Sequence, residues 1–530
     1  MAKRRNFFLP DEPLRNPDHH RPRTRREFVA QGFAMGTGTV VAGSLLSLFP
    51  MRSRAAISAD LAAQLLACNT GAGGAGMIPF VAFDLAGGAN FAGSNVLIGG
   101  RGGQLDFLGT AGYSVLGLPS SMLPNNATTN FVDSSCGIAF HSTSALLAGI
   151  KLTASPAALA LTNGAIIAAR SENDTGNNPH NPMYGIYRAG ARGSLVNLIG
   201  SQNSDSGGNS MAPATLIDVT ARPTKVDRPS DVEGLMGTTS SYTPALGLPD
   251  TVAAMESMAR ISDESLTNAM NTYGVDVTPR NGVECEILKS ADNTDKFGGT
   301  SPDPTQDPVI IGNGSTVTPI FPTGVSSSGE FLKTASVMKL VIGMDNSNKH
   351  YAAAGTITMG GYDYHTGDRT TGEMRDQRAG QCIGACIEYA HRLQVPVMIY
   401  IFSDGSVSSS GMVDSTGKGV WTSDNQGTAS AFFMVYNPNG RALPLQTVTA
   451  GTGPQIGWFK MDGTVDTTSS PAANSVVQLV DMVVLNYLQL HGTLPGGLDT
   501  TLSAALNKPS ASILGGSSNW DRYTAFQPIV

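Results

Sequence analysis

The sequence predicts an α/β fold: a mainly parallel sheet with helices on both faces, interrupted by a loop-rich insertion. Three observations carry this expectation. Short apolar runs without polar alternation recur, as in 77–84, 165–169 and 395–402, the pattern of strands buried on both faces. Helix-length segments alternate with these runs, as parallel strands require. Several runs end in glycine-rich loops bearing a carboxylate or an imidazole, which places polar chemistry at the carboxyl ends of strands.

Composition supports one large fold or a few domains. The chain has 530 residues, 41% hydrophobic and only 14% charged, with 62 Gly and 30 Pro. So many Gly and Pro predict long loops. No repeat of 20–50 residues stands out, which argues against a solenoid or propeller. A mean hydropathy of −0.03 excludes a polytopic membrane protein.

The charge is asymmetric. Residues 1–56 hold ten Lys/Arg against four Asp/Glu, and the remainder holds 24 against 37. An acidic body without a basic run is a poor nucleic-acid binder, because phosphate contacts need clustered cations. Residues 1–56 read as an export signal. Arg25-Arg26-Glu-Phe28 precedes a mildly apolar run, 32–49, and Ser53-Arg-Ala55 follows. The paired arginines match the twin-arginine type, which exports folded chains. The expected location is periplasmic or secreted, with cleavage near Ala55 or Ala56, or an uncleaved tether. Of five cysteines, Cys68, Cys136, Cys285, Cys382 and Cys386, an odd one must stay unpaired within the chain, and structural thiols are the expectation.

The elements follow in order. Residues 57–200 form the first part of the core. The first strand delivers Asp84 into Leu85-Ala-Gly-Gly-Ala-Asn90. A helix over 146–161 ends at Asn163-Gly164, and the strand 165–169 opens into the loop Ser171-Glu-Asn-Asp-Thr-Gly-Asn-Asn-Pro-His180. A helix at 183–189 and a strand at 195–200 come next. Residues 201–335, rich in Ser, Gly, Thr, Asn and Pro, read as an insertion or cap with one helix, 250–273. Residues 336–530 return to α/β pattern. Strands are expected at 338–344 and 351–359, the latter ending in Gly360-Gly-Tyr-Asp363-Tyr-His365. A helix at 378–393, a strand at 395–402 ending in Ser403-Asp404, a loop with Asp424, a strand at 431–436 and a helix at 475–491 complete the chain.

The candidate site collects the strand ends: Asp84, the loop to His180, Asp363 with His365, and Asp404, with Asp424 in a nearby loop. Carboxylates with imidazole suit one or two divalent cations, with Zn²⁺ or Mn²⁺ the usual partners. Two such ions can clamp a phosphoryl or sulfuryl group. Any one of these positions is more often a turn or cap residue. His391 and His491 read as helix-end residues complementing the dipole.

The order Asp84-Leu-Ala-Gly-Gly, Phe140-His141, Gly361-Tyr-Asp-Tyr-His365, Phe402-Ser-Asp404 and Ser423-Asp-Asn-Gln-Gly427 resembles a twin-arginine-exported bacterial family of unknown function, related to sulfatases and alkaline phosphatases. The resemblance covers roughly 77–200 and 335–490. It implies an alkaline-phosphatase-like fold with Asp84, Asp363, His365 and Asp404 as metal ligands. Three positions depart from that pattern. Pro179-His180-Asn181 stands where a Ser/Thr nucleophile is implied, leaving Thr175 as the nearest hydroxyl. Asn425 replaces a histidine. Asp404-Gly405 lacks a downstream arginine, one fewer bidentate anion clamp.

Three readings follow. The first is an exported metal-dependent hydrolase of phosphate or sulfate esters, with Thr175 or a hydroxide attacking and His180 orienting or protonating the leaving group. The second is a non-catalytic binding protein of the cell envelope on the same fold. The third is a misassigned all-β surface protein, against which the helices 378–393 and 475–491 count. The expected partner is a small anionic ester or an envelope component, with no membrane span in the mature chain.

Overall fold

The computed structural model describes residues 57–67, 76–172, 178–236, 247–273, 288, 291–297, 301–314, 316–445 and 454–530. Residues 1–56, read as an export signal, and Thr175, Cys68 and Cys285 lie outside the described residues.

Twelve strands are described: β1 (Phe80–Ala86), β2 (Val132–Asp133), β3 (Phe140–His141), β4 (Thr162–Ala168), β5 (Val196–Gly200), β6 (Thr224–Lys225), β7 (Ala352–Gly360), β8 (Val397–Phe402), β9 (Val407–Ser408), β10 (Ser423–Asp424), β11 (Ser430–Tyr436) and β12 (Gln455–Ile456). Eight form one sheet in the order β12-β4-β11-β8-β1-β7-β5-β6. Only β11 runs against its neighbours β4 and β8. The other pairs are parallel. The α/β expectation therefore holds as a mostly parallel, mixed sheet.

The central strands are mostly apolar, as burial on both faces demands, with Asp84 the one charged residue of β1. Phe80 through Leu85 and Val397 through Phe402 are all buried. One face of the sheet packs Val81, Phe83 and Leu85 under α1 (Ala145–Thr153), α4 (Gly329–Val341) and α5 (Arg369–Leu393). The other packs Phe80, Ala82, Tyr400 and Phe402 under α2 (Met183–Arg188), α6 (Val476–Gln489) and α7 (Gly497–Leu506). Each fully buried Val, Leu or Phe in these layers stabilises the fold by about 1.5–3 kcal/mol. The long α3 (Leu248–Tyr273) lies within the stretch read as a cap.

Several boundaries differ from the sequence expectation. The run 338–344, expected as a strand, is the end of helix α4. Its N-cap Ser328 accepts from the Glu330 N–H, and Phe331, Val337, Met338, Leu340 and Val341 are all buried. An unbroken apolar run fits a helix buried on most sides as well as a strand, so periodicity could not separate them. Helix α5 begins at Arg369, where Asp368 accepts from the N–H groups of Thr370 and Thr371, rather than at 378. The helix expected over 146–161 breaks after α1, where Ser155 caps a new turn opened by Pro156. Proline suits the first turn of a helix and not its interior.

Part of the stretch 201–335 is tied to the core. Asp307 forms a buried ion pair with Lys339 of α4 at 2.7 Å and accepts from the Tyr389 hydroxyl of α5 at 3.1 Å. Arg392 of α5 donates to the carbonyls of Val309 and Thr318. Cys136, Cys382 and Cys386 are free and buried, in keeping with structural thiols. Among the described residues, no helix is long and apolar enough to cross a membrane.

Candidate metal centre

The site sits at the carboxyl ends of the three central strands. β1 lies between β8 and β7, with Asp84 opposite Phe402 on one side and Thr358 on the other. Ser403, just past β8, clamps the two strand ends together. Its hydroxyl donates to the Leu85 carbonyl at 2.5 Å and accepts from the N–H groups of Gly88 and Ala89 at 3.1 and 2.8 Å. Gly87, at φ +124°, donates its N–H to Asp404 Oδ1 at 2.7 Å. A Cβ on Gly87 would lie 2.6 Å from the Asp363 nitrogen. The glycine thus lets the β7 loop pass close above β1.

That loop presents residues alternately. Tyr362 and Tyr364 are buried, whereas Asp363 is 60% exposed and His365 33% exposed. The hairpin β9–β10, which follows β8, brings Asp424 to the same place. His365 Nε2 lies 2.7 Å from Asp363 Oδ1 and 3.3 Å from Asp424 Oδ1. The three residues each offer one ligand atom, and these atoms all lie within 4.8 Å of one another. Two carboxylates and an imidazole form a mixed O/N donor set that fits Zn²⁺ or Mn²⁺. Partial exposure leaves room for ligands beyond the three the protein supplies.

The other expected ligands sit apart from this group. Asp84 is fully buried, and its carboxylate is already occupied. Oδ2 accepts from the Asn209 and Ser210 N–H groups, both at 2.7 Å, and Oδ1 accepts from the Ser210 hydroxyl at 3.1 Å. Burial, assisted by the nearby charge of Asp404, pushes its carboxyl up to about 6, against the lowering effect of those donors. Asp404 is buried as well, its Oδ1 taking the Gly87 N–H. Its backbone carbonyl accepts from Asn178 Nδ2 at 2.8 Å and from the Ser171 hydroxyl.

His180 also lies elsewhere. Its ring is 4% exposed and stacks on Phe402, with centroids 5.8 Å apart. Neither ring nitrogen has a hydrogen-bond partner. Burial pushes it down to about 3, so the ring is neutral. The Tyr400 hydroxyl and Thr358 Oγ1, on the same face of the sheet, are likewise unpartnered. Thr175 lies outside the described residues.

Three further positions resolve into structural roles. His141 is buried and neutral, pushed down to about 4 by desolvation. Its Nε2 donates to the Met122 carbonyl at 2.8 Å, and Nδ1 accepts from the Thr143 hydroxyl at 2.8 Å. Asn425, where a histidine was expected by resemblance, caps a short turn by accepting from the Gly427 N–H at 2.9 Å. His491 corrects the expectation of a cation at a helix end. Burial lowers its pKa, and its Nε2 accepts from the Ile78 N–H at 3.1 Å while Nδ1 donates to the Tyr487 carbonyl.

Sequence reasoning missed the support beneath the loop. Tyr364 donates to Asp376 Oδ1 at 3.0 Å and accepts from the Asn90 N–H at 3.1 Å. Asp376 Oδ2 accepts from Asn95 Nδ2 at 2.8 Å. The alternation Tyr-Asp-Tyr-His was the available signal, since period two buries one pair and exposes the other. No protein-family profile, curated protein or solved structure matches the chain.

Proposed function

We propose that this chain is an exported, divalent-cation-dependent hydrolase of phosphate or sulfate esters, on a fold related to the alkaline phosphatases and sulfatases. The convergence of Asp363, His365 and Asp424 from the loop after β7 and the hairpin after β8, the two strands that flank β1, carries the reading. Those three residues would hold one ion, Zn²⁺ or Mn²⁺. A cation there supplies Lewis acidity, lowering the pKa of water and neutralising the charge of an anionic ester. The chain's own contribution is placement: Gly87 and the Ser403 clamp fix the β1 and β8 ends, and the partly exposed rim admits the ester. A one-ion centre suits these residues better than a two-ion clamp, because Asp84 is held by the Asn209 and Ser210 donors and Asp404 Oδ1 by the Gly87 N–H.

A second reading, a non-catalytic envelope-binding protein, is favoured by one observation. Pro179 stands where the resemblance implies a nucleophilic hydroxyl, and the neighbouring His180 is buried against Phe402. Elemental analysis of natively exported protein, with hydrolysis of p-nitrophenyl phosphate and sulfate, separates the two. The hydrolase reading expects near-stoichiometric Zn or Mn, ester turnover, and loss of both in His365→Ala. Bound metal without turnover selects the binding protein, and a metal-free wild type overturns the centre itself.

A further inference from the structure

Beneath the exposed triad lies a buried polar network that nothing in the metal chemistry itself requires. Tyr364 stands in sequence between Asp363 and His365, and its ring is buried under the loop they share. Its hydroxyl is hydrogen-bonded on both sides, to the Asn90 N–H of the loop after β1 and to the Asp376 carboxylate of α5. Asp376 is held in turn by Asn95, whose amide also donates to the Asn90 carbonyl at 2.8 Å. Asn95 Oδ1 accepts from the Ser144 hydroxyl at 2.8 Å, which caps α1. The loop of Asp363 and His365 is therefore bolted through one phenol to β1, α1 and α5.

The same ring reaches the other limb of the triad. Tyr364 packs on Trp421, with centroids 6.5 Å apart. Trp421 lies three residues before Asp424, and its carbonyl accepts from the Gly367 N–H at 2.8 Å. Trp421 is itself braced by Arg369, whose guanidinium lies 5.0 Å from its ring centre and donates to the carbonyls of Gly117 and Gly419. The ligand residues thus come from two separate loops that meet over one buried side chain.

We propose that Tyr364, oriented by Asp376, is the positioning residue of the cation centre and fixes the distance between the Asp363–His365 loop and the Asp424 hairpin. The proposal rests on the cation-binding part of the reading above. Outer groups that orient ligands in this way change metal affinity by about 10- to 100-fold when removed. The phenol does so without touching the ion. Its ring fills the space between the limbs, and its hydroxyl sets the height of the loop above α5.

The test uses the full chain and Zn²⁺ alone, titrated into metal-free wild type, Tyr364→Phe, Asp376→Asn, His365→Ala and Tyr487→Phe. Tyr487 is a control of the same kind: its buried hydroxyl donates to the Ile78 carbonyl at 2.7 Å, on the opposite face of the sheet. Tyr364→Phe keeps the ring and loses the bolt, so its Zn²⁺ affinity falls about 10- to 100-fold. Asp376→Asn weakens binding in the same direction and serves if Tyr364→Phe does not fold. Tyr487→Phe loses similar stability and binds Zn²⁺ as the wild type does. Wild-type affinity in Tyr364→Phe, or equal weakening in Tyr487→Phe, overturns the positioning role and leaves the cation centre standing. A wild type that binds no Zn²⁺, or a His365→Ala variant that binds it equally, overturns the centre and the positioning role together.

Discussion

Two groups of acidic and imidazole residues lie at the same sheet edge and have opposite surroundings. Asp363, His365 and Asp424 are partly exposed and face one another across two loops. Asp84, Asp404 and His180 are buried within the adjoining strand ends. The residue types are alike, and so is the position at the carboxyl ends of parallel strands. The difference lies in who satisfies them. Asp84 is answered by backbone donors from Asn209 and Ser210, whereas Asp363 and Asp424 both approach the ring of His365. A carboxylate at a strand end is therefore available to a ligand only if the incoming loops have not already claimed its oxygens.

The contrast can be broken most strongly with a pair of alanine variants. Asp84→Ala removes one acceptor from three donors and leaves the Asn209 and Ser210 N–H groups unpaired in the interior. The expected loss is about 3 kcal/mol in urea unfolding. Asp363→Ala, at a residue more than half exposed, shifts stability by less than about 0.5 kcal/mol. Equal losses in the two would erase the distinction.

Proton linkage gives a second test of nearly the same size. The Asp84 carboxyl is raised from 3.8 to about 6 in the folded chain. Between those values the folded state binds more protons than the unfolded state. Its contribution is therefore full below pH 3.8 and is lost as pH rises through about 6, a change of about 3 kcal/mol. The unfolding free energy of wild type should therefore fall by about 3 kcal/mol relative to that of Asp84→Asn between pH 4 and pH 7. Parallel curves would contradict it. Asp376, raised to about 7 mainly by burial, acts with the same sign in both proteins and cancels in the difference.

The smallest effect sharpens the comparison. His180→Phe keeps the stack on Phe402 and removes two unpartnered ring nitrogens. The expected gain is about 1 kcal/mol at pH 7, the cost of burying an unsatisfied polar group. A destabilised variant would mean that the ring nitrogens are engaged in the folded protein.

Much of the exposed group was legible in the sequence, and little of the buried one. The strand ends at Asp84, Asp363 and Asp404 could be read from apolar runs meeting glycine-rich loops. So could the nearness of Asp363 and His365, two residues apart on one loop. The fate of Asp84 could not, because its donors Asn209 and Ser210 lie more than a hundred residues away in a segment without periodic pattern. The apolar stretch of helix α4 is as continuous as that of a buried strand, so its pattern fits either element. The Tyr364–Asp376 bond is hidden in the sequence for a similar reason. A polar partner inside a helix that reads as amphipathic looks like surface until the packing is known.

The position of β1 has a consequence for how the chain is made. It is the first strand of the sheet, yet its neighbours β7 and β8 are synthesised far later: Phe80 pairs with Ala354 and Met398. At about 5–20 residues per second, a ribosome needs about 14–55 s to cover the distance to the first of these partners. During that interval an apolar segment waits without its sheet. The centre of the sheet can therefore close only once β7 and β8 have been made, and the loops that carry Asp363, His365 and Asp404 take their places with it.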